Sequence, residues 1–168
     1  MSHARVTSMG GPLIMIPESV CQYWTGSPPT YPDDEGDYGR ACSVEDLIGT
    51  IEVGPAQALV LGDDPAATTF LPEHSLLVRQ IAGDPDVDYS PAVAELLPQV
   101  VWDSRVEWTV KEPLVLFDSV HDHTEIECEE HLHIALAPER YMVEAAYVEL
   151  PDEASLILVR FTPHGATA

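Results

Sequence analysis

The chain has 168 residues, a length suited to one domain, and 45% of them are apolar, enough to bury a core and to argue against disorder. Twenty-nine Asp and Glu against seven Lys and Arg leave a formal net charge of −22. A surface of that sign repels nucleic acid and anionic membranes and draws in basic proteins.

No single tail holds the charge. Residues 1–84 carry 12 acids and 3 bases, and residues 85–168 carry 17 and 4. The charge must therefore coat a folded surface. Lys111 is the one lysine, so coding bias and adaptation to high salt are rival sources of the acidity. Cys21, Cys42 and Cys128 are an odd number without paired spacing, which fits a reducing compartment better than a disulfide framework. The longest apolar runs fall far short of the roughly 20 residues that span a bilayer. No basic segment followed by a long apolar one opens the chain. A cytoplasmic protein is expected.

Fifteen prolines and ten glycines cut the chain into short elements. Gly10-Gly11-Pro12 opens an apolar strand, Leu13 to Ile16, and Pro17-Glu18-Ser19 starts a short helix ending near Trp24. Thr25 to Gly39 reads as loop, with two adjacent prolines and the acidic run Asp33-Asp34-Glu35-Gly36-Asp37. Ile48 to Val53 and Ala58 to Leu61 are strands across a Gly54-Pro55 hairpin turn. Leu76 to Ile81 is another strand. Ser90-Pro91 reads as N-cap and first residue of a second short helix, whose apolar face is Val93, Leu96 and Leu97. Strands resume at Val106–Val110, Leu114–Phe117, His131–Leu136, Tyr141–Glu149 and Leu156–Phe161. Strands that follow one another without long helices predict a mainly antiparallel β, or α+β, domain with two short helices. Ala58-Leu-Val-Leu-Gly-Asp63 echoes Pro113-Leu-Val-Leu-Phe-Asp118, which allows two similar β half-repeats, 8–84 and 100–162, packed as one domain.

Chemistry concentrates in His121–His133, which holds four His, four Glu, one Asp and one Cys, the ligand types of zinc. Alternation puts His131 and His133 on one strand face beside Glu129 and Glu127, and His121 and His123 form a second pair. A metal site or metal-dependent enzyme is therefore an alternative reading. Alternation also explains the stretch without a metal, as an edge strand with Ile126 and Cys128 inward and Glu125, Glu127 and the histidines in water. No HExxH, CxxC, G-x-S-x-G, P-loop or dinucleotide motif occurs. Cys42 follows Arg40 by two residues, yet reads as a structural thiol in a β segment. Tyr23, Trp24, Tyr31 and Tyr38 flank the acidic loop, where aromatics beside carboxylates suit an Arg- and Lys-rich partner. For Tyr23 and Trp24, closure of the core is the competing role. Trp102 and Trp108 read as core.

Three blocks carry a resemblance. Ser8-Met-Gly-Gly-Pro-Leu-Ile-Met-Ile-Pro-Glu-Ser19 with Trp24-Thr-Gly26, Asp37-Tyr-Gly-Arg-Ala-Cys42, and Ala58 to Glu73 resemble the immunity protein 21 family of bacterial polymorphic toxin systems. Leu114-Val-Leu-Phe-Asp-Ser119 does so less specifically. The resemblance implies a cytoplasmic protein without catalytic machinery or cofactor, which binds a cognate toxin domain and protects by occlusion. It carries no binding residues with it. Charge and exposure nominate Asp33, Asp34, Glu35, Asp37, Tyr31, Tyr38, Glu125, Glu127 and Glu129 as contacts for a basic toxin domain. Under the metal alternative the candidates are His121, His123, His131 and His133. An acidic, salt-adapted structural domain is the third reading.

Overall fold

The computed structural model describes residues 4–30, 32, 36–62 and 66–164. Its strands are β1 (Leu13–Pro17), β2 (Ile48–Val53), β3 (Ala56–Leu61), β4 (Ala67–Leu71), β5 (Leu76–Ala82), β6 (Ser104–Val110), β7 (Leu114–Asp118), β8 (His131–Ile134), β9 (Glu139–Glu149) and β10 (Ser155–Pro163). Helices α1 (Gly36–Cys42) and α2 (Ser90–Leu96) are joined by short 3₁₀ turns, the longest at Glu18–Tyr23. The strands form two five-stranded sheets, in the orders β2-β3-β1-β7-β8 and β4-β5-β10-β9-β6. Every pairing between these strands is antiparallel, as the sequence predicts.

The apolar runs are continuous because the central strands are covered on both faces. In β1, Leu13 and Met15 enter the core shared by the two sheets, while Ile14 and Ile16 face a second cluster with Val20, Trp24 and Ala41. Leu59 and Leu61 of β3 and Leu114 and Leu116 of β7 point inward with them, against Leu77, Trp108, Val143, Ile157, Val159 and Phe161 of the other sheet. On that sheet's outer face, Leu76, Val78, Leu156 and Leu158 meet Val93 and Leu96 of α2 and Leu97 of the 3₁₀ turn after it. Antiparallel sheets with one wet face alternate apolar and polar residues; these are layered under helices and lose the alternation. The two Leu-Val-Leu strands, β3 and β7, flank β1 in one sheet: Leu61 and Asp118 both pair with Leu13, and Leu59 and Leu116 with Met15. Both sheets draw strands from both halves of the chain.

Turn chemistry sets the hairpin register. Gly54 has φ +55 at the first position of the two-residue turn between β2 and β3, a region glycine enters without cost. The prolyl ring of Pro55 holds the second position.

Several expectations shift. Thr25–Gly39 is not loop throughout, because α1 begins at Gly36. Ser90 is the first helical residue of α2 and Tyr89 its N-cap, and the Ser90 amide donates to the Asp88 carboxylate at 2.9 Å. The expected edge strand starts only at His131; Ile126–Cys128 is a 3₁₀ turn that leaves Cys128 exposed instead of in the core. Cys42 lies at the end of α1, exposed, and not in a strand. Tyr23 is half exposed, whereas Trp24 and Trp108 are buried. Trp102 is part-buried beneath the Arg160 guanidinium, 4.2 Å from its ring centroid. β4 was not foreseen; it is held by β5 and by a bridge from Val6 to Thr68.

On the outer face of the second sheet, Glu144 of β9 sits between two registered arginines. Arg105 Nη2 on β6 lies 2.8 Å from Glu144 Oε2, and Arg160 Nη2 on β10 lies 2.7 Å from Oε1. Burial alone would raise the Glu144 carboxyl, but the hydrogen bonds from Arg160 and Arg105 outweigh it and hold the group below its ordinary value of 4.5. A lowered folded value stabilises the fold above the unfolded value and ceases to as pH falls through the folded one. Glu144→Gln is expected to cost about 2 kcal/mol in urea unfolding at pH 7. The gap to the parent protein should close well below pH 4.5.

Candidate functional site

The outer face of the first sheet is roofed by the described parts of two segments, Trp24–Cys42 and Ser119–Glu130, through Trp24, Ala41 and Ile126; in sequence, these segments hold both local concentrations of acid. They are stitched together. The Trp24 indole N–H donates to the Ser119 carbonyl at 3.1 Å, and the His123 amide donates to the Trp24 carbonyl at 3.1 Å. The Ser27 amide donates to the Val120 carbonyl at 3.0 Å. Gly26, at φ +60, lies so close that a Cβ there would meet the His121 carbonyl carbon at 2.6 Å. Gly26→Ala combines left-handed strain with this clash. It is expected to cost about 2 kcal/mol in denaturant unfolding.

Tertiary bonds also form α1, whose Gly-rich sequence is a poor helix former. The Asp37 carboxylate accepts from the Thr25 amide at 3.0 Å and its hydroxyl at 2.9 Å, and it pairs with Arg40 Nη1 at 2.9 Å. Arg40 also donates to the Glu52 carbonyl. Tyr38 donates its amide to Gly26 and lays its ring against Gly11. Asp37 and Tyr38 thus hold the two ends of the acidic loop together. Tyr31, Asp33, Asp34 and Glu35 lie outside the described residues.

In the second segment Glu125, Glu127, Glu129 and Glu130 are all exposed. The Glu125 carboxylate accepts from the Asp122 amide at 3.0 Å, closing the turn before Ile126. Glu130 is bound by the Thr7 amide and hydroxyl. Glu127 extends into solvent, 3.7 Å from His131 Nε2. The four candidate histidines do not converge. His131 and His133 share a face of β8 with ring centroids 5.2 Å apart, as their spacing predicts. His121 instead faces Glu125 at 3.9 Å, and His123 Nδ1 meets the Trp24 carbonyl at 3.2 Å.

The thiols lend no support to nucleophilic chemistry. Burial, then the charges of Glu18, Glu112 and Glu127, push Cys21 up to about 11, so it stays protonated.

Most arginines are engaged by the chain's own groups. Arg105 and Arg160 serve Glu144, Arg40 serves Asp37, and Arg140 pairs with Glu107. Arg79 is buried, donating to the Gly62 carbonyl at 2.9 Å. Among the described acids of the roof, Glu125, Glu127, Glu129 and Glu130 face solvent. The acids are evident in the sequence, whereas the Trp24 bridge that joins their segments is a contact between residues 95 apart.

The immunity protein 21 family model matches residues 4–154. The chain belongs to the immunity protein 21 family. The match takes in every strand of both sheets except β10, and both roof segments of this immunity protein. It gives no support to a metal-binding protein or metal-dependent enzyme as the alternative function. No curated protein and no solved structure gave a match. Among the described residues, no helix is long and apolar enough to cross a membrane.

Proposed function

We propose that this immunity protein acts in the bacterial cytoplasm by binding a cognate toxin domain with a basic surface and occluding it, without catalysis of its own. The family match over residues 4–154 carries the class of function. The roof of the first sheet supports the choice of surface. It joins two acidic segments on a scaffold tied by Trp24, while Arg40, Arg105, Arg140 and Arg160 are engaged by carboxylates of the chain itself. Exposed acids at the rim of an interface speed encounter with a basic partner and set its salt dependence. Within the roof, Glu127 and Glu129 are exposed and open to a partner; Asp33, Asp34 and Glu35 are nominated by their charge in the sequence alone. Asp37 acts chiefly by bracing α1.

Co-expression with the toxin domain encoded beside its gene tests this reading. The expected result is survival of cells that otherwise die, and a stable complex on gel filtration. Toxicity unrelieved by the immunity protein would overturn it.

A further inference from the structure

Among the described residues, one group of His, Cys, Asp and Glu side chains brings three ligand atoms together: Glu127, His131 and His133 each offer one within 4.8 Å of the others. We infer that these residues bind a divalent transition metal of the Zn²⁺ class, through the Glu127 carboxylate and Nε2 of both histidines. The inference concerns metal binding alone and does not rest on the toxin-binding reading, although Glu127 also belongs to the surface proposed to meet the toxin.

Two registers bring the donors to one place. His131 and His133, two apart on edge strand β8, share a face. Glu127 arrives from the 3₁₀ turn just before. The imidazoles are already set as ligands. A carbonyl only accepts, so the His131 nitrogen 2.8 Å from the Glu129 carbonyl, Nδ1, carries its hydrogen. The His133 Nδ1 lies 2.9 Å from Glu18 Oε1 and donates to it in the same way. In the neutral form such a ring carries its lone pair on Nε2, and the His131 Nε2 lies 3.7 Å from Glu127 Oε2. Metal-ligating histidines are oriented in this manner, one nitrogen held by a carbonyl or carboxylate so that the other meets the ion.

Size and charge agree. Zinc bonds of about 2.0–2.2 Å in a tetrahedral site put ligand atoms roughly 3.5 Å apart. Closing from 4.8 Å needs only side-chain movement, and the Glu127 and His133 side chains are 76% and 56% exposed. Two imidazoles and a carboxylate suit zinc, nickel or copper over calcium or magnesium. The acidic surface raises the local concentration of any dication.

The test is calorimetric titration of the chelator-treated protein with ZnSO₄, with excess Mg²⁺ present to occupy scattered carboxylates. One saturable equivalent is expected. Glu127→Gln and Glu18→Gln should each weaken it roughly tenfold or more. His131→Ala with His133→Ala should abolish it, and His121→Ala with His123→Ala should leave it unchanged. In the parent protein, Zn²⁺ should first shift the imidazole NMR signals of His131 and His133. No saturable equivalent, binding that survives loss of His131 and His133, or first shifts at other histidines would each overturn the inference.

Discussion

Trp24→Ala is expected to lower the unfolding free energy by about 4 kcal/mol, a large share of the stability of a domain this size. The side chain is fully buried in the cluster with Ile14, Ile16, Val60 and Phe117. Its indole N–H is committed to Ser119, and its own carbonyl receives the His123 amide. Trp24→Phe keeps most of the volume and loses the bond to Ser119, so about 1–2 kcal/mol is expected. Urea unfolding separates the two. Hydrogen exchange should add that the Ser27 and His123 amides lose protection in Trp24→Ala before the strands do. A loss under 1 kcal/mol for Trp24→Ala would mean that the roof is not anchored through this ring.

The second large effect concerns association. A variant with Asp33→Asn, Asp34→Asn, Glu35→Gln, Glu125→Gln, Glu127→Gln and Glu129→Gln should bind the toxin at least tenfold more slowly at low salt. Its thermal midpoint should stay close to that of the parent. These six acids leave out Asp37 and Glu130, whose carboxylates are tied to Thr25, Arg40 and Thr7. Glutamine at 125 can still accept from the Asp122 amide. An unchanged association rate would move the contact surface elsewhere and leave the acidity to solvation.

What was legible in the sequence follows from how each element is held. β1, β3, β7 and β10 are covered on both faces, so their apolar runs announce them directly. The hairpin of β2 and β3 and the helix after Ser90 carry their own turn and start chemistry. α1 does not. Gly36-Asp-Tyr-Gly39 reads as loop, and its helix depends on Thr25, Gly26 and Glu52, which are distant in the chain or in another element. The stretch before His131 misleads for the opposite reason. Its alternation is strand-like, but the Asp122 and Glu125 side chains bond nearby amides and close turns that break the strand. The same bonding separates His121 and His123 from His131 and His133, which no spacing along the chain reveals. The acids of the site were visible at once, whereas the contacts joining their segments are backbone bonds between residues nearly 100 apart.

Stopped-flow association of this immunity protein with the toxin domain encoded beside its gene, measured from low to high salt, addresses the central claim most directly. A tight complex is predicted that silences the toxin, with a rate falling steeply as salt rises and a slope flattened in the six-acid variant. Absence of a complex, a complex in which the toxin stays active, or a rate indifferent to salt in both proteins would contradict it.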